Sequence, residues 1–243
     1  MSLEIDPGLP RTEQLRMSKY RIFPMLRLPV RAFVQRYWDI RVAGEERLPA
    51  AGPMILAGNH TAALDGPLMV VIPPRPAFAL AKVELFSGAM GRMLDVVGQI
   101  SIDRRRADVR GVTKAVKLLR SGGVLTIFPE GSRGAGDLRH ANRGAAYLAM
   151  VTGAPVIPVA LLGTRVGDSR GRLPGRGAQI HVHYGEPIHV PAVGWPRTKI
   201  AVGEWTERIR EILAEHVRQT SEETGIPLPG PVSHPRKLSN PRK

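Results

Sequence analysis

Short apolar runs, separated by stretches with helical periodicity, dominate the chain from residue 53 onward. Pro53–Ala57, Ala77–Ala81, Gln99–Ile102, Val124–Phe128, Val156–Leu162 and Gln179–Tyr184 are brief and largely aliphatic, which predicts strands. Between them, residues 84–97, 108–120 and 142–152 read as helices, and Gly122-Gly123 supplies a stop after Arg120. Residues 198–222 predict a longer helix, with Val202, Trp205, Ile209, Ile212 and Val217 along one side. Near-continuous apolar strands alternating with helices imply an α/β domain over residues 41–224. Its sheet is expected to be central, mostly parallel or mixed, and flanked by helices.

The two ends read differently. Residues 16–38 interleave cations with bulky apolar groups and are interrupted by Pro24 and Pro29, which predicts two short helices. In the second, Val30, Phe33, Val34 and Tyr37 share a side, with Arg31 and Arg36 turned away. An interfacial helix is built this way, although a core-facing helix carries the same pattern. Residues 1–40 are therefore expected to form an amphipathic helical segment that contacts a membrane. From Gly225 the sequence becomes GIPLPGPVSHPRKLSNPRK, with no acids, so residues 225–243 are expected to be a mobile basic tail. No stretch approaches the ~18 apolar residues that span a bilayer. MSLEIDPGLPR also lacks the apolar core of a signal peptide, so membrane contact is expected to be peripheral.

Charge sharpens this reading. Lys and Arg total 35 against 21 Asp and Glu, a formal +14, which favours an anionic partner. The cations cluster from Arg16 to Arg41, against Asp39 alone, and from Arg104 to Arg120, against Asp108 alone. Arg104-Arg105-Arg106 lacks the interleaved aromatics of a nucleic-acid surface, so no nucleic-acid partner is expected. The absence of cysteine excludes disulfides, thiolate metal sites and a cysteine nucleophile.

Two constellations carry chemistry. Asn59-His60-Thr61-Ala62-Ala63-Leu64-Asp65 follows the strand PMILA. A histidine and an aspartate five residues apart point away from each other on a straight helix. They meet only if the chain turns between them, where Asp65 can hold Nδ1 and free Nε2 as a base. Phe128-Pro129-Glu130-Gly131-Ser132-Arg133 follows the strand VLTI. Gly131 lets the backbone approach a ligand, its neighbours' amides can face an anion, and Arg133 offers a planar fork to phosphate. Glu130 either holds that arginine or accepts a substrate hydroxyl. The plain alternative is a strand-exit turn with a surface ion pair.

NHTAALD and FPEGSR, in this order and about seventy residues apart, resemble the glycerolipid acyltransferase family, and most closely its bacterial 1-acyl-sn-glycerol-3-phosphate acyltransferases. Gly98-Gln99-Ile100-Ser101-Ile102-Asp103-Arg104 resembles the family's second block, and Val156-Ile157-Pro158-Val159-Ala160 its fourth. The resemblance covers roughly residues 40–190. Ser132 stands where threonine is usual, and Arg143-Gly144 where lysine-glycine is usual, keeping hydroxyl and charge. The resemblance implies His60 as general base with Asp65 orienting it. It also implies that Arg104, Glu130, Gly131, Ser132 and Arg133 hold the acceptor. Asn59, Lys82 and the backbone near Ile157 are candidates for oxyanion stabilisation or support. No cofactor or metal is expected. The acyl group is expected from acyl-CoA or acyl-carrier protein, the acceptor is a lysophospholipid, and the setting is an anionic membrane surface on the cytoplasmic face of the cell membrane. Acceptors such as glycerol-3-phosphate remain open. So does a different class, a non-catalytic basic protein that binds membrane or nucleic acid.

Other signals are weaker. Gly167-Asp168-Ser169-Arg170-Gly171 fits G-x-S-x-G, but the RLPGRG that follows cannot start the helix a nucleophile elbow needs. Arg165, Arg170, Arg172 and Arg176 are expected on a mobile loop, free to meet headgroups or a carrier protein. His181 and His183 share one strand side, but no carboxylate stands at ligand spacing.

Overall fold

The computed structural model describes residues 9–13, 22–105 and 108–231. Every strand the sequence predicts is present. They are β2 (Met54–Gly58), β3 (Ala77–Lys82), β4 (Ile100–Ile102), β5 (Val124–Ile127), β6 (Val156–Leu162) and β7 (Gln179–Tyr184). β1 (Asp39–Ala43) is added at the edge. The sheet order is β1-β7-β6-β2-β5-β3-β4, parallel throughout except where β6 meets β7. The sheet is thus mixed. β2 and β6 are buried at every position, as central strands covered on both faces must be.

Helix α1 (Ile22–Tyr37) precedes the sheet, and it corrects one expectation. Two prolines predict two helices, yet one helix runs through both positions. Pro24 falls in the first turn, where an amide has no intrahelical partner to lose, and only Pro29 removes a bond. Arg16, Lys19 and Arg21 of the proposed membrane segment lie outside the described residues.

Helices make the crossovers between the parallel strands, a connection that is right-handed as a rule. α2 (Asp65–Val71) links β2 to β3, and its Leu68 and Met69 pack with Leu56, Ile157 and Trp38 on one side of the sheet. α3 (Gly88–Val96) links β3 to β4, α4 (Val109–Arg120) links β4 to β5, and α5 (Gly144–Thr152) links β5 to β6. α4, α5 and α6 (Lys199–Thr224) share a second core, in which Leu119, Leu148, Ile209 and Leu213 meet. α6 buries Val202, Ile209 and Val217 as expected, but Leu213 rather than Ile212 completes its inner stripe, leaving Ile212 37 % exposed. Caps agree with the local sequence. Asp108 accepts the Gly111 amide at 2.9 Å, and Thr198 accepts that of Ala201 at 3.1 Å.

One consequence of this order positions the chemistry. β2 and β5 are adjacent, but the chain leaves β2 towards α2 and leaves β5 towards α5, which belong to different cores. The loops therefore diverge to opposite faces and open a crevice at the carboxyl ends of the strands. Ligands of open α/β sheets bind at such a switch point.

Candidate active site

His60 and Asp65 flank that crevice on the β2 side. After Gly58 the chain turns once before α2 begins at Asp65, which brings the two side chains together. His60 Nδ1 lies 2.9 Å from Asp65 Oδ2, and the same oxygen accepts the Thr61 and Ala62 amides at 2.6 and 2.8 Å. Asp65 is fully buried, and its other oxygen has no partner among the described residues. Three donors converge on one oxygen, so the carboxylate is fixed before it meets the imidazole. It holds the Nδ1–H tautomer and leaves the Nε2 lone pair free. The imidazole stacks on Phe128, with centroids 4.0 Å apart, and its side chain keeps 18 % exposure.

The β5 side is tied to the same histidine. The His60 amide donates to Glu130 Oε1 at 2.9 Å, and the His60 carbonyl accepts from the Gly134 amide at 2.8 Å. Glu130 thus braces His60 from the backbone side. Burial pushes its carboxyl up to about 7, the His60 amide opposes the shift, and the Asp137 and Asp65 carboxylates add to it.

Gly131 takes φ 69°, and a Cβ there would lie 2.5 Å from Asn142 Nδ2 and 3.7 Å from an Arg104 guanidinium nitrogen. The missing side chain leaves the room that Arg104 and Asn142 occupy. Asn142, a residue not singled out from the sequence, donates to the Pro129 carbonyl from both its amide and its side chain, at 2.8 and 3.0 Å. Its sequence signal is only its place before α5. Ser132 and Arg104 are exposed at this end, and half-buried Arg133 donates to the Arg170 carbonyl at 2.9 Å.

The supporting candidates separate. Asn59 spends its side chain on β6, donating to Leu161 O at 3.0 Å and accepting from Leu161 N at 2.7 Å. It clamps the ends of β2 and β6 together. Ile157 pairs with Leu56 and is fully buried, several residues short of the crevice, and is not brought to the others. Lys82 ends β3, which β5 separates from β2, so it stands two strand spacings, about 10 Å, from β2.

The loop after β6 also departs from expectation. Arg165, expected to be free for headgroups, has a side chain only 1 % exposed, and it donates to the Gly134, Gly167 and Gly230 carbonyls. Thr164 and Thr61 pair through their hydroxyls at 3.1 Å. Residues expected to begin a mobile tail instead fold back over this end, with Leu228 against Gly136 and the Ile226 carbonyl accepting from Ser221. A cavity of about 670 Å³ opens there, lined by Thr61, Leu161, Arg165, Ile226 and Leu228. A recess of about 780 Å³ lies elsewhere, between α6 and the far end of β7, and holds none of the candidate residues. His183 and His216 line it. Burial lowers both imidazoles, and His181 as well, below the usual histidine value. Among the described residues no three His, Cys, Asp or Glu side chains are placed to hold a metal ion.

Comparison with known proteins bears on this arrangement. A 1-acyl-sn-glycerol-3-phosphate acyltransferase of Borreliella burgdorferi is 32 % identical over 148 residues, covering 59 % of this chain and 59 % of that protein. The chain therefore spans less than two thirds of that relative. One from Bacillus subtilis is 28 % identical over 178 residues, covering 72 % of this chain and 87 % of its own. The crystal structure of the 1-acyl-sn-glycerophosphate (LPA) acyltransferase PlsC from Thermotoga maritima shares the fold. Its TM-score is 0.60 at 23 % identity, over 83 % of this chain and 79 % of that one. The model of the family described as Acyltransferase matches residues 39–162, a span that holds His60, Asp65, Arg104 and Glu130. With the crevice residues inside that match, the chain belongs to the acyltransferase family.

Proposed function

We propose that the chain transfers a fatty acyl group from a thioester, acyl-CoA or acyl-carrier protein, to the free hydroxyl of 1-acyl-glycerol-3-phosphate, giving phosphatidic acid. The observation that carries this is the carboxylate-held imidazole at the switch point. Asp65 fixes Nδ1 and leaves Nε2 to act. His60 Nε2 takes the hydroxyl proton as the oxygen attacks the thioester carbonyl, and Asp65 stabilises the imidazolium that forms. Collapse of the tetrahedral species expels the thiolate, which recovers that proton. Arg104, Gly131, Ser132 and Arg133 hold the acceptor's phosphate and glycerol, so an encounter becomes an oriented reaction. Glu130 supports the histidine's backbone and faces the same acceptor. The step uses no cofactor.

The relatives' printed activities and the order of motifs support this acceptor. We place the protein peripherally, on an anionic cytoplasmic membrane face. Among the described residues no helix is long and apolar enough to cross a bilayer, and α1 exposes Met25, Leu28 and Phe33 at 77, 63 and 67 %.

The test is direct conversion. Purified protein, given lysophosphatidate with acyl-CoA or acyl-carrier protein, is expected to form phosphatidate. His60→Ala should lower the rate roughly 10²–10⁴-fold. Asp65→Asn should cost about as much with little change in KM, because it permits the wrong tautomer. Full rate in His60→Ala would refute the mechanism. Preference for glycerol-3-phosphate over lysophosphatidate would refute the acceptor.

A further inference from the structure

α3 is an outlying helix. It touches the rest of the fold only sparsely, and its close approach is to its own preceding turn, where a Cβ on Gly91 would strike the Phe86 backbone. Around its axis Ala89, Met90, Met93 and Val96 fall on one arc of about 120°. All are exposed, the two methionines and the valine by about half (53, 52 and 52 %). The residues before it, Val83 and Leu85, are exposed at 42 and 41 %, and Val109 at the start of α4 at 72 %. Scattered apolar residues need no explanation, but a helix face that continues into the exposed turn before it is a patch.

We propose that this surface, comprising Val83–Leu85, the apolar face of α3 and the first residue of α4, docks on an anionic bilayer as a second contact beside α1. The reading rests on the lipid acceptor proposed above, and two features support a lipid occupant. The first is charge. Lys82, Arg92, Arg104, Arg105 and Arg110 lie on the same segments as the patch, Lys82 half-buried and the four arginines exposed. The acids among them are engaged: Glu84 pairs with Arg105 at 3.1 Å, Asp103 accepts from the Arg105 amide, Asp108 caps α4, and Asp95 also has a partner. Apolar side chains beside Lys82, Arg92, Arg104 and Arg110, which pair with no acid among the described residues, fit a lipid surface with anionic headgroups.

The second is placement. Val83, Leu85 and Val109 follow the carboxyl ends of β3 and β4, the end of the sheet that carries His60 and Arg104. The β3–α3–β4 crossover, running in the same direction as β2–α2–β3, sets α3 on the same face as α2, against which α1 packs. Contacts on both flanks of α2 hold the crevice at the headgroup layer, where a lysophospholipid presents its hydroxyl without leaving the bilayer.

The chain has no cysteine, so one introduced thiol reports one place. The full-length Met93→Cys protein is labelled with an environment-sensitive fluorophore and mixed with phosphatidylcholine vesicles, with and without phosphatidylglycerol. We expect a blue shift with the anionic vesicles, and none for label at Glu204→Cys on α6 across the sheet. In co-sedimentation, Met90→Gln/Met93→Gln should bind anionic vesicles several-fold more weakly. It should keep wild-type turnover of a soluble short-chain lysophosphatidate. Aqueous emission from Met93→Cys in vesicles that pellet the protein overturns the proposal, as does a shift only on adding acyl-carrier protein. Vesicle binding is read without catalysis, so a wild type that inserts Met93 but acylates nothing refutes the functional reading and leaves the surface standing.

Discussion

At the scale of single residues the site divides into what spacing encodes and what only the fold assembles. The pairing of His60 with Asp65 was legible, because a strand end followed by a helix start brings positions five apart together. The bond from the His60 amide to Glu130 was not, since it joins residues 70 apart and depends on β2 lying next to β5. That bond puts a carboxyl with a raised pKa behind His60, which yields a pH signature. Burial moves Glu130 from 4.5 to about 7, so between these values the folded protein holds a proton that the unfolded chain has released. Stability from this group is full below about 4.5 and is lost as pH rises through about 7. Glu130→Gln keeps an oxygen for the amide but exchanges no proton. Thermal melts from pH 4.5 to 7 should show the variant gaining on the wild type as pH rises. Parallel melting profiles would mean that Glu130 ionises as an ordinary surface acid.

Among the secondary-structure elements, the sequence shows most clearly those whose periodicity is uninterrupted. The central strands and α4 through α6 were legible because burial on both faces, or along one stripe, leaves a run of apolar residues. β1 was not, because an edge strand alternates exposed and half-buried positions over only DIRVA. The single helix α1 was hidden by prolines whose effect depends on their place in the turn. What fixes α1 is a residue that composition treats as surface charge. Arg27 is 4 % exposed and donates to the carbonyls of Val71, Pro73 and Pro74 at 3.3, 2.6 and 2.6 Å. These groups close the carboxyl end of α2, where helix carbonyls lack intrahelical partners. Burial, with Arg31 nearby, lowers the pKa of this guanidinium. Arg27→Met fills similar space and removes the donors, which should cost about 2–4 kcal/mol. Hydrogen exchange should quicken in α1 and at the end of α2, while the Thr61 and Ala62 amides held by Asp65 keep their protection. Uniform quickening across the molecule would show that α1 is not a separately anchored element.

For the whole molecule, charge and topology answer different questions. The formal +14 pointed to an anionic partner but could not say where the cations go. The fold spends some of them internally: Arg27 on α2 and Arg165 on the loops around the crevice. Arg104, Arg105 and Arg110 are exposed at the end of the sheet that carries His60. The segment after α6 belongs to this end too, although its prolines hid that role. Proline prevents a helix or an inner strand, yet it also lowers the entropy lost when an extended segment is fixed. Ile226 and Leu228 here close one side of the cavity that Thr61 and Gly163 also line, and Gly230 supplies a carbonyl to the buried Arg165. Removing residues 226–243 exposes that guanidinium and the floor beneath it. Loss of one charged hydrogen bond and of the apolar cover should cost about 2–3 kcal/mol. For a chain of this size that lowers Tm by roughly 4–12 °C. The Thr61–Thr164 contact lies at the same cavity, one residue from His60, so the proposed acyl transfer should fall further than stability requires when measured well below the new Tm. Leu228→Ala should reproduce part of both effects without shortening the chain. A truncated protein that melts and turns over like the full chain would show that the crevice is complete at Gly225.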